Sequence, residues 1–348
     1  MKPTDIAEPD YFHKVVDCQW ACPAHTPVPE YIRLIAEKRY SDAYMINWHS
    51  NVFPGILGRT CDRPCEPACR RGRVEEEPVA ICRLKRVAAD YKSDIKDRIP
   101  SVPKKKNGKH IALIGAGPAS LTVARDLLPL GYEITLFEKD SLSGGAMRTQ
   151  IPRFRLPAEV LEEELHYILD MGVNCRFGEE ITSMKTILKE DFDAIFVGTG
   201  APLGKHLDLP GYDKAKANIH TGIEWLASVA FEHIDKIGKN VIVLGGGNTA
   251  MDCCRTSKRL GGKDVTVVVR SGFDEMKASP WEIEDAMNED IPVVNFHVPK
   301  RYVIENGKLA GMEFEKVKKE YDKNGRRLLI PTGEDPVIIP CEDVLCAI

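Results

Sequence analysis

No stretch of this 348-residue sequence approaches the roughly 18 apolar residues in a row that a membrane-crossing helix needs, so no helical span is expected. An excess of positive charge is missing too. The 48 Lys and Arg against 52 Asp and Glu leave a net charge of -4, and no global basic field invites nucleic acid. The short basic runs, KKKNGK at 104–109 and CRRGR at 69–73, read as a solvated linker and a local electrostatic feature. The opening residues, MKPTDIAEPDYFHK, hold no apolar stretch of the secretory kind, and a cytoplasmic protein is expected. No C-x-x-C occurs, which argues against the dithiol pair of a thiol or disulfide reductase. An odd total of 11 cysteines argues against a disulfide framework. No Ser/His/Asp or Cys/His constellation stands out, and there are no long repeats.

What is present is unevenly spread. Cys18, Cys22, Cys61, Cys65, Cys69 and Cys82 all precede residue 83, and the other five cysteines are scattered. That clustering points to a metal centre in a small N-terminal domain. Residues 1 to about 100 contain no strand-like run. Residues 29–46 place apolar side chains at helical spacing, and 78–91 read as another helix with Pro78 in its first turn. Between them, GRTCDRPCEPACRRGR (58–73) holds three cysteines four apart, and Pro64 and Pro67 keep that stretch out of an ordinary helix. A linker rich in proline and lysine follows at 98–109.

From His110 the texture changes. Residues 110–140 read as strand, glycine turn, helix and strand, and residues 240–270 repeat that pattern 130 residues later. A helix is expected over 157–172 and a buried strand over 192–201. Asn306-Gly307 and Asn324-Gly325 signal hairpins near the end.

One G-x-G-x-x-G is weak evidence, but two in this context are strong. In the first, Gly115 permits the tight turn and Gly117 lets backbone approach a pyrophosphate. Ser120 takes the position where only a small residue fits. The pyrophosphate would rest on the helix start at Pro118 and Ala119, where unpaired N–H groups favour an anion. Glu138, 23 residues after Gly115, can accept hydrogen bonds from ribose hydroxyls and repels a 2′-phosphate. The second copy has Gly245, Gly247 and Ala250, with Asn248 and Thr249 opening its helix. Arg270 stands 25 residues after Gly245, where the first copy has an acid, and Lys277 follows. Cations there lean the site to NADPH, with NADH possible. One site for an unphosphorylated ribose and one for a phosphorylated ribose suit FAD in the first and NADPH in the second.

With these residues in view the chain resembles the small subunit of NADPH-dependent glutamate synthase and the N-terminal half of dihydropyrimidine dehydrogenase. The stretch SGGAMRTQIPRFRLP (143–157) is similar to a motif bordering the flavin ring in that family, which implies Gly144, Gly145, Arg148, Ile151, Pro152 and Arg155 as flavin-site residues. The resemblance also assigns Gly198–Ala201, with Gly200, to a turn beside FAD. It implies an all-helical 4Fe-4S domain over 1–105 and an FAD-binding domain beginning at 109–235. An NAD(P)H-binding domain over 236–340 is inserted in it, and 341–348 begin the return to the FAD domain. The rest of that return lies beyond the given sequence, so a fragment is expected.

The resemblance places Cys22, Cys61 and Cys65 in one 4Fe-4S cluster and Cys18 and Cys69 in a second. Two departures stand out. Asp10 and His13 occupy positions where the second cluster needs cysteines, and Lys85, a poor ligand, stands at the glutamine that completes the first cluster in dihydropyrimidine dehydrogenase. Cys82, one helical turn earlier, is expected to replace it, giving Cys22, Cys61, Cys65 and Cys82. The second cluster is then absent or incomplete, with CRRGR supplying nearby cations. From spacing alone, a structural four-cysteine zinc site and inert buried thiols stay open. The implied function is an NADPH-dependent flavin and iron–sulfur oxidoreductase module serving a redox partner protein or larger catalytic subunit in a hetero-oligomer. The alternatives are a nucleotide-binding scaffold with a structural four-cysteine zinc site and a flavin thiol or disulfide reductase.

Overall fold

The protein is described by a computed structural model covering residues 16–348. It divides into two compact units, one running up to Gly145 and including Arg153–Thr199, the other formed by Ala146–Pro152 and Gly200–Ile348.

The first unit opens with helices α1 (Asp17–Ala21), α2 (Val28–Ala36), α3 (Tyr40–Asn51), α4 (Pro54–Thr60) and α5 (Ile81–Tyr91), and no strand precedes residue 110 among the described residues. Proline in the first turns of α2 and α4 costs nothing there, because those N–H groups have no intrahelical partner. Pro78 lies three residues ahead of α5 rather than in its first turn, so the expected start at residue 78 was too early. Val28, Tyr31 and Leu34 recur on one face of α2 and bury with Ala43, Cys65, Ile81 and Ala88. At roughly 1.5–3 kcal/mol for each large apolar side chain, this cluster is the main force holding the short helices together. Helices α4 and α5 approach closely at Gly58, where an added Cβ would lie 2.8 Å from the backbone of Arg86. The Cys/Pro stretch between them forms turns, as the prolines require.

A parallel sheet follows. Strand β1 (His110–Ile114) leads into α6 (Pro118–Leu127) and β2 (Glu133–Glu138); α7 (Ala146–Thr149) falls in the second unit. Helix α8 (Ala158–Leu169), strand β3 (Asn174–Phe177), α9 (Met184–Ile187) and β4 (Ala194–Val197) complete the first unit. The strand order is β3-β2-β1-β4, all parallel. Residues 192–201 were expected to be a buried strand, but β4 forms the edge of this sheet and Val197 is 55% exposed.

Two buried polar contacts fasten this sheet layer to the helices before it. Glu164 of α8, 2% exposed, accepts the Gly55 and Ile56 N–H groups at the start of α4 (2.6 and 3.0 Å) and the Tyr44 hydroxyl (2.8 Å). Arg125 of α6 donates to the Trp48 carbonyl in the last turn of α3 and lies 5.1 Å over the Trp48 ring. Glu164 supplies partners to N–H groups at a helix start that have no intrahelical acceptor, and Arg125 adds a second donor to a carbonyl that already accepts the Val52 N–H (3.2 Å).

In the second unit, α10 (Tyr212–Ala215), β5 (Ile219–Thr221) and α11 (Gly222–Ala230) precede β6 (Asn240–Leu244), α12 (Asn248–Arg259), β7 (Asp264–Val268), α13 (Pro280–Asn288) and β8 (Val293–Val294). An antiparallel layer of β9 (His297–Glu305), β10 (Lys308–Tyr321), β11 (Arg327–Pro331) and β12 (Val337–Pro340) turns at Asn306-Gly307 and around Asn324-Gly325, and β13 (Asp343–Cys346) ends the regular structure. Asn306 and Gly307 both have positive φ, as a tight hairpin turn needs. The second parallel sheet has the order β5-β13-β6-β7-β8.

Strand β13 corrects the expectation for residues 341–348. It does not begin a return to the first sheet: it pairs in parallel with β5 and β6 in the second, and Val344, Leu345 and Cys346 are buried there. The same pairing brings residues 219–230 into the second unit, so the change of unit falls at Gly200 and not after residue 235.

Burial pushes the Glu164 carboxyl up to about 7, against the pull of the Gly55, Ile56 and Tyr44 donors. Between the ordinary Glu value and about 7 the folded state keeps a proton that the unfolded chain has lost. The stability contributed by Glu164 is therefore full below about 4.3 and falls as pH rises through 7, by at most roughly 3 kcal/mol. Denaturant titrations at pH 5 and pH 8 are expected to show a smaller pH dependence for Glu164→Gln than for the native protein; an unchanged dependence would refute this account.

Candidate functional site: four thiols and two glycine turns

The N-terminal thiols come from four different pieces of chain. Cys22 follows α1, Cys61 caps α4, Cys65 sits in the Cys/Pro turn and Cys82 lies in the first turn of α5. Their electrostatic coupling shows them as neighbours. Burial pushes Cys65 up to about 12, with Cys61 and Cys22 adding to the rise. Cys61 is held down to about 6 by the facing Cys82 thiol, by the Arg63 N–H and by the Lys85 cation, while Cys82 moves up in return. Two donors already point at sulfur: Arg63 N–H to Cys61 Sγ (3.4 Å) and, on Cys22 Sγ, the Thr26 hydroxyl (3.5 Å). Thr26 Oγ1 receives the Ser50 hydroxyl and the Asn51 amide, both at 3.1 Å, which leaves its own proton for Cys22. Two buried thiols, Cys65 and Cys82, beside two half-buried ones, Cys22 and Cys61, that receive N–H and O–H donors fit an iron–sulfur cluster, whose sulfurs are stabilised by such donors.

Cys18 and Cys69 are neighbours of each other. Both pack against the α2 cluster, and Cys69 acts with burial to push Cys18 up. Asp10 and His13 lie outside the described residues. The CRRGR run is less available than its sequence implied, since Arg70 and Arg73 pair with Asp17 and Arg71 with Glu75. The buried cation acting on the thiols is instead Lys85, with Arg63 adding to it at Cys82; the sequence pattern marked Lys85 only as a poor ligand. Its signal was there: Lys85 is three residues after Cys82, on the face of α5 that carries Ile81, Ala88 and Ala89 into the core.

At the first glycine turn, Gly115 has φ +93° and an added Cβ would lie 2.6 Å from the Gly198 carbonyl. Nothing lies within 4 Å of a Cβ built on Gly117, so its backbone faces open space next to exposed Pro118 and Ala119 at the start of α6. Ser120 is fully buried against Gly198, where a Cβ would come 2.3 Å from Ser120 Oγ. Gly144 donates to the Ala116 carbonyl (2.9 Å), and Gly145 passes so close to Gly117 that a Cβ would lie 2.8 Å from its Cα. Glu138 accepts the Ala116 N–H (2.6 Å) and the Asp140 N–H (3.0 Å), one on each oxygen. Each oxygen keeps a second lone pair, so ribose hydroxyls can still be accepted. The other flavin-motif residues divide between the units: Arg155 belongs to the first, while Arg148, Ile151, Pro152 and Gly200 belong to the second.

At the second turn Gly245 has φ +137°, and an added Cβ would strike the Ala347 carbonyl at 2.1 Å. Gly247 again faces open space, Thr249 is half-buried and Ala250 is fully buried. Asn248 Oδ1 accepts the Ser279 N–H (2.8 Å), and the Lys277 and Ala278 N–H groups both donate to the Gly246 carbonyl (2.9 Å). The loop carrying Lys277 is thus pinned to the glycine turn, and Arg270 is exposed two residues beyond β7. Sequence reasoning had both cations but missed the role of Asn248 in holding that loop. Cys253 and Cys254 are buried in the α12 core, as packing residues should be.

Two parallel sheets with such turns define a class, and the chain belongs to the pyridine nucleotide-disulphide oxidoreductase family, whose pattern it matches over residues 109–347. Residues 12–96 match a second family, described as dihydropyrimidine dehydrogenase domain II, 4Fe-4S cluster. It is 35% identical to the NADP(+)-dependent formate dehydrogenase subunit beta of Moorella thermoacetica, over 95% of this chain and 50% of that protein. Identity is 34% with the NADPH-Fe(3+) oxidoreductase subunit beta of Geobacter sulfurreducens, over 99% and 53%. With the small chain of NADPH glutamate synthase from Escherichia coli it is 30%, over 95% and 73%. The chain spans about half the length of the first two. Among solved structures, FprA of Mycobacterium tuberculosis in complex with NADPH is similar in fold, with TM-score 0.59 and 15% identity over 69% of this chain and 70% of that one. A 2-naphthoyl-CoA reductase complex gives TM-score 0.54 and 17% identity over 90% of this chain and 44% of that one. No helix among the described residues is long and apolar enough to cross a membrane.

Because Gly58 lets α4 and α5 close on each other, it also sets the spacing of Cys61 and Cys82. Gly58→Ala is expected to cost roughly 1–3 kcal/mol through overpacking and to reduce the iron retained per chain. Unchanged iron content together with an unchanged melting temperature would refute that role.

Proposed function

We propose that this chain is an electron-input module, taking electrons from NADPH and delivering them through FAD and one 4Fe-4S cluster to a partner protein or larger subunit. The carrying observation is that Cys22, Cys61, Cys65 and Cys82 gather in the same compact unit as the glycine turn that has an acid at its ribose position. Relatives that are a subunit beta or a small chain support a hetero-oligomeric setting. When bound, nicotinamide and flavin exchange hydride, and a flavin can give up its electrons singly to an iron–sulfur centre.

The protein's own share is binding and positioning. The open backbone at Gly117 and the start of α6 receive the FAD pyrophosphate, and Glu138 accepts from its ribose. Gly247 and the start of α12 do the same for NADPH, with Arg270 and Lys277 on the 2′-phosphate. Gly144, Gly145, Arg148, Ile151, Pro152, Arg155 and Gly200 border the flavin, and the NADPH-binding segment is an insertion in the FAD-binding one. Cys22, Cys61, Cys65 and Cys82 hold the cluster, with Cys18 and Cys69 outside it. A reducing cytoplasmic location suits six unpaired N-terminal thiols.

The rival reading is a single structural zinc. Four sulfurs about 2.3 Å from one ion stand within about 4 Å of one another. Among the described residues no three His, Cys, Asp or Glu side chains converge as ligands of one ion.

Metal and sulfide analysis after anaerobic purification is the direct test. About four iron and four sulfide per chain are expected. One zinc without sulfide would select the rival, and about eight iron would bring Cys18 and Cys69 into a second cluster. For the nucleotide, Arg270→Ala is expected to weaken NADPH roughly tenfold and NADH much less, measured as dissociation constants. Equal losses would refute the 2′-phosphate assignment.

A further inference from the structure

The ammonium of Lys85 needs an explanation that the ligand set does not supply. Lys85 is 6% exposed, on the same face of α5 as Cys82. Burying an ammonium costs several kcal/mol unless opposite charge meets it. Yet among the described residues no carboxylate forms an ion pair with Lys85. Carboxylates elsewhere in the helical segment have other partners: Asp90 takes Arg59 and Arg86, Asp17 takes Arg70 and Arg73, and Glu75 takes Arg71. Glu66, placed beside Cys82, accepts the Cys82 N–H at 3.0 Å. What Lys85 does face is sulfur: its charge favours the thiolate form of Cys61, Cys65 and Cys82 alike.

We infer that Lys85 is the built-in counter-charge of this thiolate set and holds the reduction potential of the cluster bound there higher than four cysteines alone would set it. The inference rests on the iron–sulfur reading above and deepens it. A cluster with four thiolate ligands gains one unit of negative charge for each electron it accepts. A fixed positive charge in a low-dielectric site stabilises the more negative, reduced form over the oxidised one. The effect requires no proton and no change of ligand. It also accounts for a lysine rather than an apolar residue at a buried helix position: an apolar side chain would pack there without desolvation cost but would leave Cys61 and Cys65 without the positive charge that Lys85 supplies, and Cys82 with Arg63 alone. Lys85 is thus a positioning and tuning residue, not a ligand.

The test is a redox titration of the anaerobically purified holoprotein, with dithionite as reductant and the reduced cluster followed by electron paramagnetic resonance. Native protein, Lys85→Met and Lys85→Arg are compared, with iron and sulfide counted in each. Lys85→Met is expected to keep its iron and to lose at least about tenfold in the reduction equilibrium, a shift of about 59 mV to more negative potential for a one-electron couple. Lys85→Arg, which restores the charge, is expected to recover most of that shift. If Lys85→Met cannot hold iron, retention by Lys85→Arg supports the counter-charge, and loss in both variants overturns it in favour of a packing role. A midpoint unchanged in iron-replete Lys85→Met overturns the inference alone. Native protein without acid-labile sulfide overturns the iron–sulfur reading and this inference with it.

Discussion

The helical segment that presents the thiols depends on one buried carboxylate. Glu164, from the helix that follows the Ile151–Pro157 motif, receives the first two N–H groups of α4, and α4 ends at Cys61. A helix of seven residues has little stability of its own, because most of its backbone groups are unpaired at one end or the other. A carboxylate at its start satisfies two of those groups and opposes the helix dipole. The start of the helix that ends at Cys61 is therefore fixed from α8, by a contact between residues 109 apart. Arg125 adds a second such contact at the end of α3, and it comes from the helix behind the first glycine turn.

The two glycine turns share one backbone solution. In both, the first glycine has positive φ and abuts a carbonyl of a neighbouring strand's trailing loop, Gly198 in one and Ala347 in the other. In both, the next motif glycine faces open space. The difference is carried by the residues at the end of β2 and just beyond β7. Glu138 is buried and fixed by two N–H groups, whereas Arg270 and Lys277 are exposed on a loop held by the Gly246 carbonyl. A fixed buried acid suits hydroxyl groups that must be read at close range. Exposed cations suit a phosphate, whose charge acts over a longer distance and does not need a single hydrogen-bond geometry.

Much of this was determined by the sequence itself. Strand, glycine turn and helix follow from apolar periodicity and from the steric freedom of glycine, both local properties, so β1–α6–β2 and β6–α12–β7 fell where the pattern placed them. The Asn-Gly hairpins and the non-helical Cys/Pro turn are local for the same reason. Tertiary structure alone decided which sheet each strand joined. Residues 341–348 carry an apolar strand whose pattern fits either sheet, and only parallel pairing with β5 and β6 commits it to the second. It also decided the electrostatics of the thiols. The arginines of CRRGR are adjacent in sequence to Cys69 yet engage carboxylates, while Lys85, separated from Cys61 by a turn and a helix start, becomes their cation. A helix fixes which residues share a face, but what that face meets depends on how distant helices pack, and no local preference encodes that.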